Sequence, residues 1–207
     1  MQTTNISKLV LATNNAGKLR EMQALLQSLN IEVLPQSAFN VTECPEPHCT
    51  FIENALAKAR HASLLTGLPA LADDSGLCVE ALQGVPGVLS ARYACETPEQ
   101  AKSDAANNAK LLIALANEEN RLAYYYCIMV LVRHANDPQP LISEGIWVGE
   151  ILRAPRGTGG FGYDPIFLDA KTEQTGAELA PAIKNRISHR GHALNKLLLK
   201  LENIQHG

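Results

Sequence analysis

Two adjacent carboxylates, Asp73 and Asp74, follow the apolar run Leu68-Pro69-Ala70-Leu71-Ala72 and precede Ser75-Gly76. Two acids side by side repel each other and are costly to desolvate, so a fold has little structural reason to put them at the exit of a buried strand. A divalent cation removes that cost, and strand ends in α/β proteins are where small phosphorylated ligands bind. The plainer reading is an acidic Asp-Ser-Gly turn that ends the strand, since all three residue types form turns well.

Four other stretches carry polar groups at informative spacings. Thr13-Asn14-Asn15-Ala16-Gly17-Lys18 leads from an apolar run into a helical pattern. Free amide N–H groups at a helix start attract anions, and Lys18 adds a full positive charge, so phosphate is the natural ligand. It is not a Walker A loop: Ala12 stands where a Gly is required, and Leu19 where a Ser or Thr is required. An ordinary Asn-rich helix cap with an exposed lysine gives the same pattern. In the helix that starts at Phe51, Asn54 and Lys58 are one turn apart and share a face. Lys58 there either reaches phosphate oxygens or is a solvated lysine, while Glu53 is committed to its own cap.

The third stretch, Gly157 to Pro165, matches a dinucleotide fingerprint literally at Gly157, Gly159 and Gly162. The context fails, because Tyr163-Asp164-Pro165 continues as an extended segment instead of opening a helix. A loop that brings backbone amides to a ligand fits better, with Phe161 as a face for stacking on a base. In the fourth, Lys184, Arg186, His189 and Arg190 place four potential cations in a short loop before a helix. They suit an anionic or carbonyl-bearing ligand, or simply face water. Cys44, Glu46, His48 and Cys49 fit no zinc spacing.

The elements that must position these groups follow from hydrophobic pattern and caps. Strands are expected at 9–12, 31–34, 68–72, 77–82, 122–132, 141–151 and 166–168, with Asn136-Asp137-Pro138 joining an antiparallel hairpin. A helix from about Gly17 presents Leu19, Met22, Leu25, Leu26 and Leu29 on one face. Thr50-Phe51-Ile52-Glu53 is a capping box whose helix runs to Gly67. Thr97-Pro98-Glu99-Gln100 predicts a helix to about Ala116, and a last helix is expected from about His192. Strands alternating with helices and then a hairpin imply an α/β fold with a mixed sheet.

The 207 residues, 46% hydrophobic and 19% charged, suffice for one sizeable core or two lobes sharing a sheet. A net charge of -3 argues against a general nucleic-acid binder. The 5 Cys are odd in number and irregularly spaced, as in reduced intracellular proteins. Met1–Asn5 opens no secretory pattern and no apolar run is long enough to span a bilayer, so a cytoplasmic protein without a membrane partner is expected.

Taken in order, these motifs resemble the inosine/xanthosine triphosphate pyrophosphatase family. The matching stretches are Leu11 to Lys18, Thr50 to Ala55, Ala72 to Leu77, Pro86 to Tyr93, Gly157 to Pro165 and Ser188 to Gly191. The resemblance spans essentially the whole chain. It implies a single domain over 1–207, with an elongated mixed β-sheet, flanking helices and two lobes around a central cleft. It further implies a homodimer, one Mg²⁺ per subunit, and cleavage of deaminated purine nucleotides (ITP, dITP, XTP) to the monophosphate and pyrophosphate. By position, Asp74 is the essential acid, a metal ligand and general base, and Ser75 contacts substrate. Thr13, Asn14, Asn15, Ala16, Gly17 and Lys18 hold the triphosphate with Lys58. Phe161, Gly162, Tyr163, Asp164, Lys184, His189 and Arg190 form the base pocket. Similar proteins carry an acid and then a glycine before the Thr-Phe-x-Glu-Asn helix; here Pro47 and His48 follow Glu46. Glu46 is the expected second metal ligand and Glu43 the alternative.

Hypoxanthine and xanthine present a carbonyl at C6 where adenine presents an amino group. Donors from His189, Arg190 or backbone amides would reject adenine at roughly 1–3 kcal/mol per unpaired group. Two other functions stay open: a regulatory nucleotide-binding module without turnover, and a hydrolase removing only the terminal phosphate.

Overall fold

The computed structural model describes residues 6–26, 31–97 and 99–205. They form two compact units: unit 1 comprises the chain up to Asp74, residues 127–145 and the segment from Arg190 onward, and unit 2 comprises 75–126 and 146–189. Six strands form one mixed sheet in the order β2-β1-β3-β4-β5-β6.

Unit 1 begins with β1 (Lys8–Leu11), α1 (Ala16–Leu26) and β2 (Glu32–Pro35), followed by α2 (Phe51–Thr66) and the first half of β3 (Ala70–Val79), whose residues from Ser75 onward belong to unit 2. β1 pairs in parallel with β2, and with β3 through Val10↔Ala70 and Leu11↔Leu71. Parallel pairing needs crossovers, which α1 and α2 supply. Met22 and Leu26 of α1 pack with Leu9, Leu11, Leu71, Met129 and Leu131, and with Ala193, Leu194 and Leu197 of α5 (His189–Gln205). Leu29 and the side chain of Leu25, expected on the same face, lie outside the described residues. α2 starts and stops as its sequence dictates. Thr50 Oγ1 accepts the Glu53 N–H at 3.4 Å, and the Glu53 carboxylate accepts a hydrogen bond from the Thr50 hydroxyl. Gly67 closes the helix at φ 69°, a left-handed conformation that other residues adopt at a cost. Ala55, Ala59 and Ala62 are fully buried, so methyl-sized side chains form the buried face of this helix.

The largest departure from expectation is β3. The strand expected to end before Asp73 and the strand expected at 77–82 are one ten-residue strand that runs through Asp73-Asp74-Ser75-Gly76. Residues 80–82 form a 3₁₀ turn instead. Turn propensity loses here because the acids acquire buried partners and Gly76 lets a neighbouring segment approach. A Cβ at Gly76 would lie 2.2 Å from the Gly87 carbonyl oxygen and 2.5 Å from Ser90 Oγ. The strand end that matters belongs to β1: it stops at Leu11, so the two acids lie beyond the last residue of their parallel neighbour.

Unit 2 contains α3 (Asp104–Ala114), β6 (Phe167–Asp169), α4 (Pro181–Ile187), and parts of β4 (Leu122–Val132) and β5 (Leu141–Ile151). β4 and β5 have the expected bounds, and β6 joins β5 antiparallel. Leu77, Val79, Leu111, Leu115, Tyr125, Trp147 and Phe167 pack in the core. α3 starts at Asp104, not at Thr97. Ser103 is its cap, accepting the Ala106 N–H at 3.2 Å, while the Thr97 carbonyl accepts the Gln100 N–H in a turn. The deciding signal is the buried series Asn107, Leu111, Leu115, which counts back to Ser103. Pro98 lies outside the described residues. Residues 184–191, expected as a loop, are helical except for Ser188: Lys184 lies in α4, and α5 begins at His189, three residues before the expected start. Among the described residues no helix is long and apolar enough to cross a membrane.

Gly76→Ala is expected to destabilise the protein by about 1–3 kcal/mol, because the methyl group must displace backbone at Gly87. Urea unfolding at pH 7 checks this, with a lowered midpoint and an unchanged slope as the expected result.

Candidate active site

Consecutive strand residues point to opposite faces, so Asp73 and Asp74 do not share an environment. The Asp73 carboxylate is fully buried. Its Oδ2 accepts from Lys18 Nζ at 3.0 Å and Arg190 Nε at 3.3 Å. Arg190 also pairs with Glu21 of α1. Burial alone would raise the Asp73 carboxyl, but Lys18, Arg190 and, more distantly, Lys58 hold it well below the usual carboxylate range. The tandem therefore needs no metal to neutralise Asp73; two side chains from the first turns of α1 and α5 do so.

Asp74 faces α2. Lys58 Nζ donates to Oδ1 at 2.9 Å, and Asn54 Nδ2 approaches Oδ2 at 3.3 Å. The same ammonium lies 3.4 Å from Glu46 Oε2. Asn54 also clasps the His48 peptide, donating to its carbonyl at 3.1 Å and accepting its N–H at 3.2 Å. The segment carrying Glu46 is thus tied to the helix that orients Asp74. Burial pushes the Asp74 carboxyl up against the pull of Lys58 and Lys18, and Glu46 adds to the rise. Burial would lower Lys58, but Asp74, Asp73 and Glu46 raise it. These directions oppose each other across one contact. A lysine held charged by a carboxylate implies an ionised partner, so the pair is ionic, with Asp74 a stronger base than an exposed acid.

The donor set fits a hard divalent cation. Two carboxylates converge on one positive centre, and Mg²⁺ takes one or two carboxylates plus waters and phosphate oxygens. Among the described residues no group of three or more His, Cys, Asp or Glu is arranged around a metal position, and Asp74 and Glu46 are the two carboxylates here that could take part in holding one. Glu43, the alternative ligand, is exposed.

At the start of α1, Asn15 is the cap. Its Oδ1 accepts the N–H groups of Gly17 at 2.9 Å and Lys18 at 3.0 Å, and its own N–H donates to Thr13 Oγ1 at 3.2 Å. Two of the amides expected to await an anion are therefore already engaged. Asn14 Oδ1 accepts from buried Gln36 at 2.8 Å. Ala16 opens the helix, and the Lys18 ammonium sits on Asp73, beyond the end of β1. Ser75 is half-buried on β3, where unit 2 begins.

In unit 2 the glycine-rich loop is built on Asp164. Its Oδ2 accepts from Lys184 Nζ at 2.6 Å and from the Phe161 N–H at 2.9 Å. Lys184 Nζ lies 4.8 Å from the centre of the Phe161 ring, against one π face. A Cβ at Gly160 or Gly176 would strike the Asp164 carboxylate, and one at Gly157 or Gly159 the Ala177 backbone. These glycines allow close packing within the loop. Gly162, at φ 63°, is held by residues the sequence did not single out: its N–H donates to Asp104 Oδ2 at 2.7 Å and its carbonyl accepts from Asn108 Nδ2 at 3.1 Å. The available signal was their spacing, one turn apart at the start of α3. Tyr163 is core: its ring is buried and its hydroxyl donates to the Ser90 carbonyl at 2.9 Å. His189 is buried and stacks on Tyr125, with centroids 4.7 Å apart. Arg190, next in sequence and expected in the base pocket, belongs to unit 1, where it pairs with Asp73 and Glu21.

Buried acids matched to lysines at a parallel strand end, beside a capped helix start, give an α/β protein with groups chemically suited to a cation and a phosphorylated ligand. The chain belongs to the Ham1 family, whose model matches residues 9–200. It is 62% identical over 195 residues to a dITP/XTP pyrophosphatase of Chromobacterium violaceum, covering 94% of this chain and 97% of that one. It is 59% identical over 199 residues to a dITP/XTP pyrophosphatase of Burkholderia pseudomallei, covering 96% and 95%. The solved structure of a HAM1 protein from Coxiella burnetii superposes with a TM-score of 0.87 at 50% identity, covering 96% of this chain and all of that one.

Asp73→Asn is expected to cost roughly 3–5 kcal/mol at pH 7, because Lys18 and Arg190 keep their charges in a buried site. A carboxyl depressed in the folded state stabilises fully above its unfolded pKa of about 4 and loses that contribution as pH falls toward the folded value. The variant should therefore show a shallower loss of stability between about pH 5 and pH 2 than the parent. Chemical unfolding across that range checks both statements.

Proposed function

We propose that the protein is a Mg²⁺-dependent nucleoside-triphosphate pyrophosphatase acting on ITP, dITP and XTP. It releases the monophosphate and pyrophosphate and so removes deaminated purines from the precursor pool. The observation that carries this reading is the convergence of Asp74 and Glu46 on one positive centre, the Lys58 ammonium of α2. Relatives at about 60% identity named dITP/XTP pyrophosphatase support the substrate class.

In this reading Asp74 and Glu46 hold one Mg²⁺ per subunit. When bound, the ion neutralises phosphate charge and lowers the pKa of coordinated water. Lys18 and Lys58 carry the remaining positive charge toward the triphosphate, and Thr13, Asn14, Asn15, Ala16 and Gly17 form the surface it meets. Water attacks the α-phosphorus, the bond from that phosphorus to the bridging oxygen breaks, and the water proton passes to Asp74, whose basicity burial has raised. Asn54 keeps the carboxylate aimed. Catalysis of this type rests on positioning and charge neutralisation.

The base subsite belongs to unit 2. Phe161 supplies the stacking face, with Lys184 and Asp164 fixing it from behind. Gly162 is clamped by α3, Tyr163 anchors the loop to the core, and Ser75 contacts substrate. His189 and loop backbone amides remain as donors toward the C6 carbonyl. Arg190 acts on Asp73, and through it on Lys18. A single family model over residues 9–200 supports reading residues 1–207 as one functional domain. A homodimer in the cytoplasm completes the reading. The exposed Ile146 and Val148 of β5 and Leu122 of β4 offer apolar surface for a second copy, and the free cysteines suit a reducing compartment.

Incubation with ITP, XTP, dITP, GTP and ATP plus Mg²⁺ should give pyrophosphate from the first three and little from the last two. Orthophosphate as product, or binding without turnover, would overturn the assignment. Asp74→Asn should lower kcat by roughly 10²–10⁴. Light scattering should return twice the chain mass.

A further inference from the structure

The structure assigns Lys58 a second role, that of resident cation of the Asp74–Glu46 pair, which a metal must displace in order to bind. The inference rests on the reading above that these two carboxylates are metal ligands. Lys58 Nζ lies 2.9 Å from Asp74 Oδ1 and 3.4 Å from Glu46 Oε2, with its side chain only 12% exposed. The Asp74 carboxylate and the backbone segment that carries Glu46 have a second anchor besides Lys58. Asn54 fixes Asp74 through Oδ2, and the same amide clasps the His48 peptide that follows Glu46. Lys58 instead sits on a flexible four-carbon stem that can leave.

A Mg²⁺ ion binds carboxylate oxygen at about 2.0–2.1 Å and needs the lone pairs that the ammonium now engages. Ion and ammonium would also face each other as like charges at close range. Both cannot occupy the pair. Two consequences follow. Without nucleotide, bare Mg²⁺ binds weakly, because it must first expel a cation already well paired. On loading, Lys58 is released as a positive charge at the moment phosphate arrives, so metal entry and phosphate capture become one exchange. A lysine serving only as a phosphate ligand would leave metal affinity untouched when nucleotide is absent.

The test uses the full chain with Mg²⁺ alone as probe. Lys58→Met, freed of the competing charge, should bind Mg²⁺ at least about tenfold more tightly than the parent by calorimetry. Lys58→Arg, which keeps the charge, should stay near the parent. Metal-free Lys58→Met should melt about 4–8 °C lower and regain most of that loss at saturating Mg²⁺. In the unmodified protein, amine acetylation read by mass spectrometry at Lys58 should quicken several-fold when Mg²⁺ is added, a measurement independent of variant folding. Unchanged or weaker Mg²⁺ affinity in Lys58→Met, or no change in Lys58 labelling while the parent binds Mg²⁺, overturns the exchange and leaves the metal assignment standing. If neither the parent nor Lys58→Met binds Mg²⁺ or gains stability from it, both fall.

Discussion

The arrangement depends on one buried charge network: Asp73 on β3, Lys18 at the start of α1, Arg190 at the start of α5, and Glu21 closing the set. Placing two acids in succession on a buried strand is prohibitive if they must share one environment. The strand pleat separates them, and this network absorbs the first. Asp74 is thereby left to face α2 with its own lysine and its own amide. Breaking a buried network by removing one member strands the remaining charges, so the geometry at β3 is tightly specified.

Both units solve the positioning problem with the same local device, two polar side chains one helical turn apart. On α2, Asn54 and Lys58 take the two oxygens of Asp74. On α3, Asp104 and Asn108 take the N–H and carbonyl of Gly162. In each case a helix, rigid along its axis, fixes a group on a strand or loop that could not hold its own orientation. Asp164 extends the principle inside the glycine-rich loop, where one carboxylate organises an ammonium, a backbone amide and, through the ammonium, the face of Phe161.

Local signals were legible where they decided local structure. The Thr50 cap, the Gly67 stop and the bounds of β4 and β5 depend on contacts within a few residues or on long apolar runs. The start of α3 at Asp104 is not legible from the Thr97 cap pattern, because burial of Asn107, Leu111 and Leu115 selects Ser103 as the cap instead. The cation-rich stretch reads as a loop in sequence, yet Lys184 and Arg186 lie in α4, with Pro181 at its first turn, and His189 and Arg190 open α5. β3 was split because Asp, Ser and Gly form turns unless a neighbouring segment, here Gly87 and Ser90, packs onto the glycine.

The sequence by itself determined the residue types of the site: an acid pair, a lysine one turn from an asparagine, a capped helix start and an aromatic loop. Its ordered motifs were enough to point to the family. Only the tertiary structure decided who pairs with whom. Arg190 lies 117 residues from Asp73 in the chain yet takes its charge, while its neighbour His189 stacks in an aromatic cluster. Lys58, which spacing left between phosphate ligand and solvated surface residue, is the cation between two acids. Charge pairing acts through space and is strengthened by burial, and neither distance nor burial between remote segments is written in the spacing of residues along the chain.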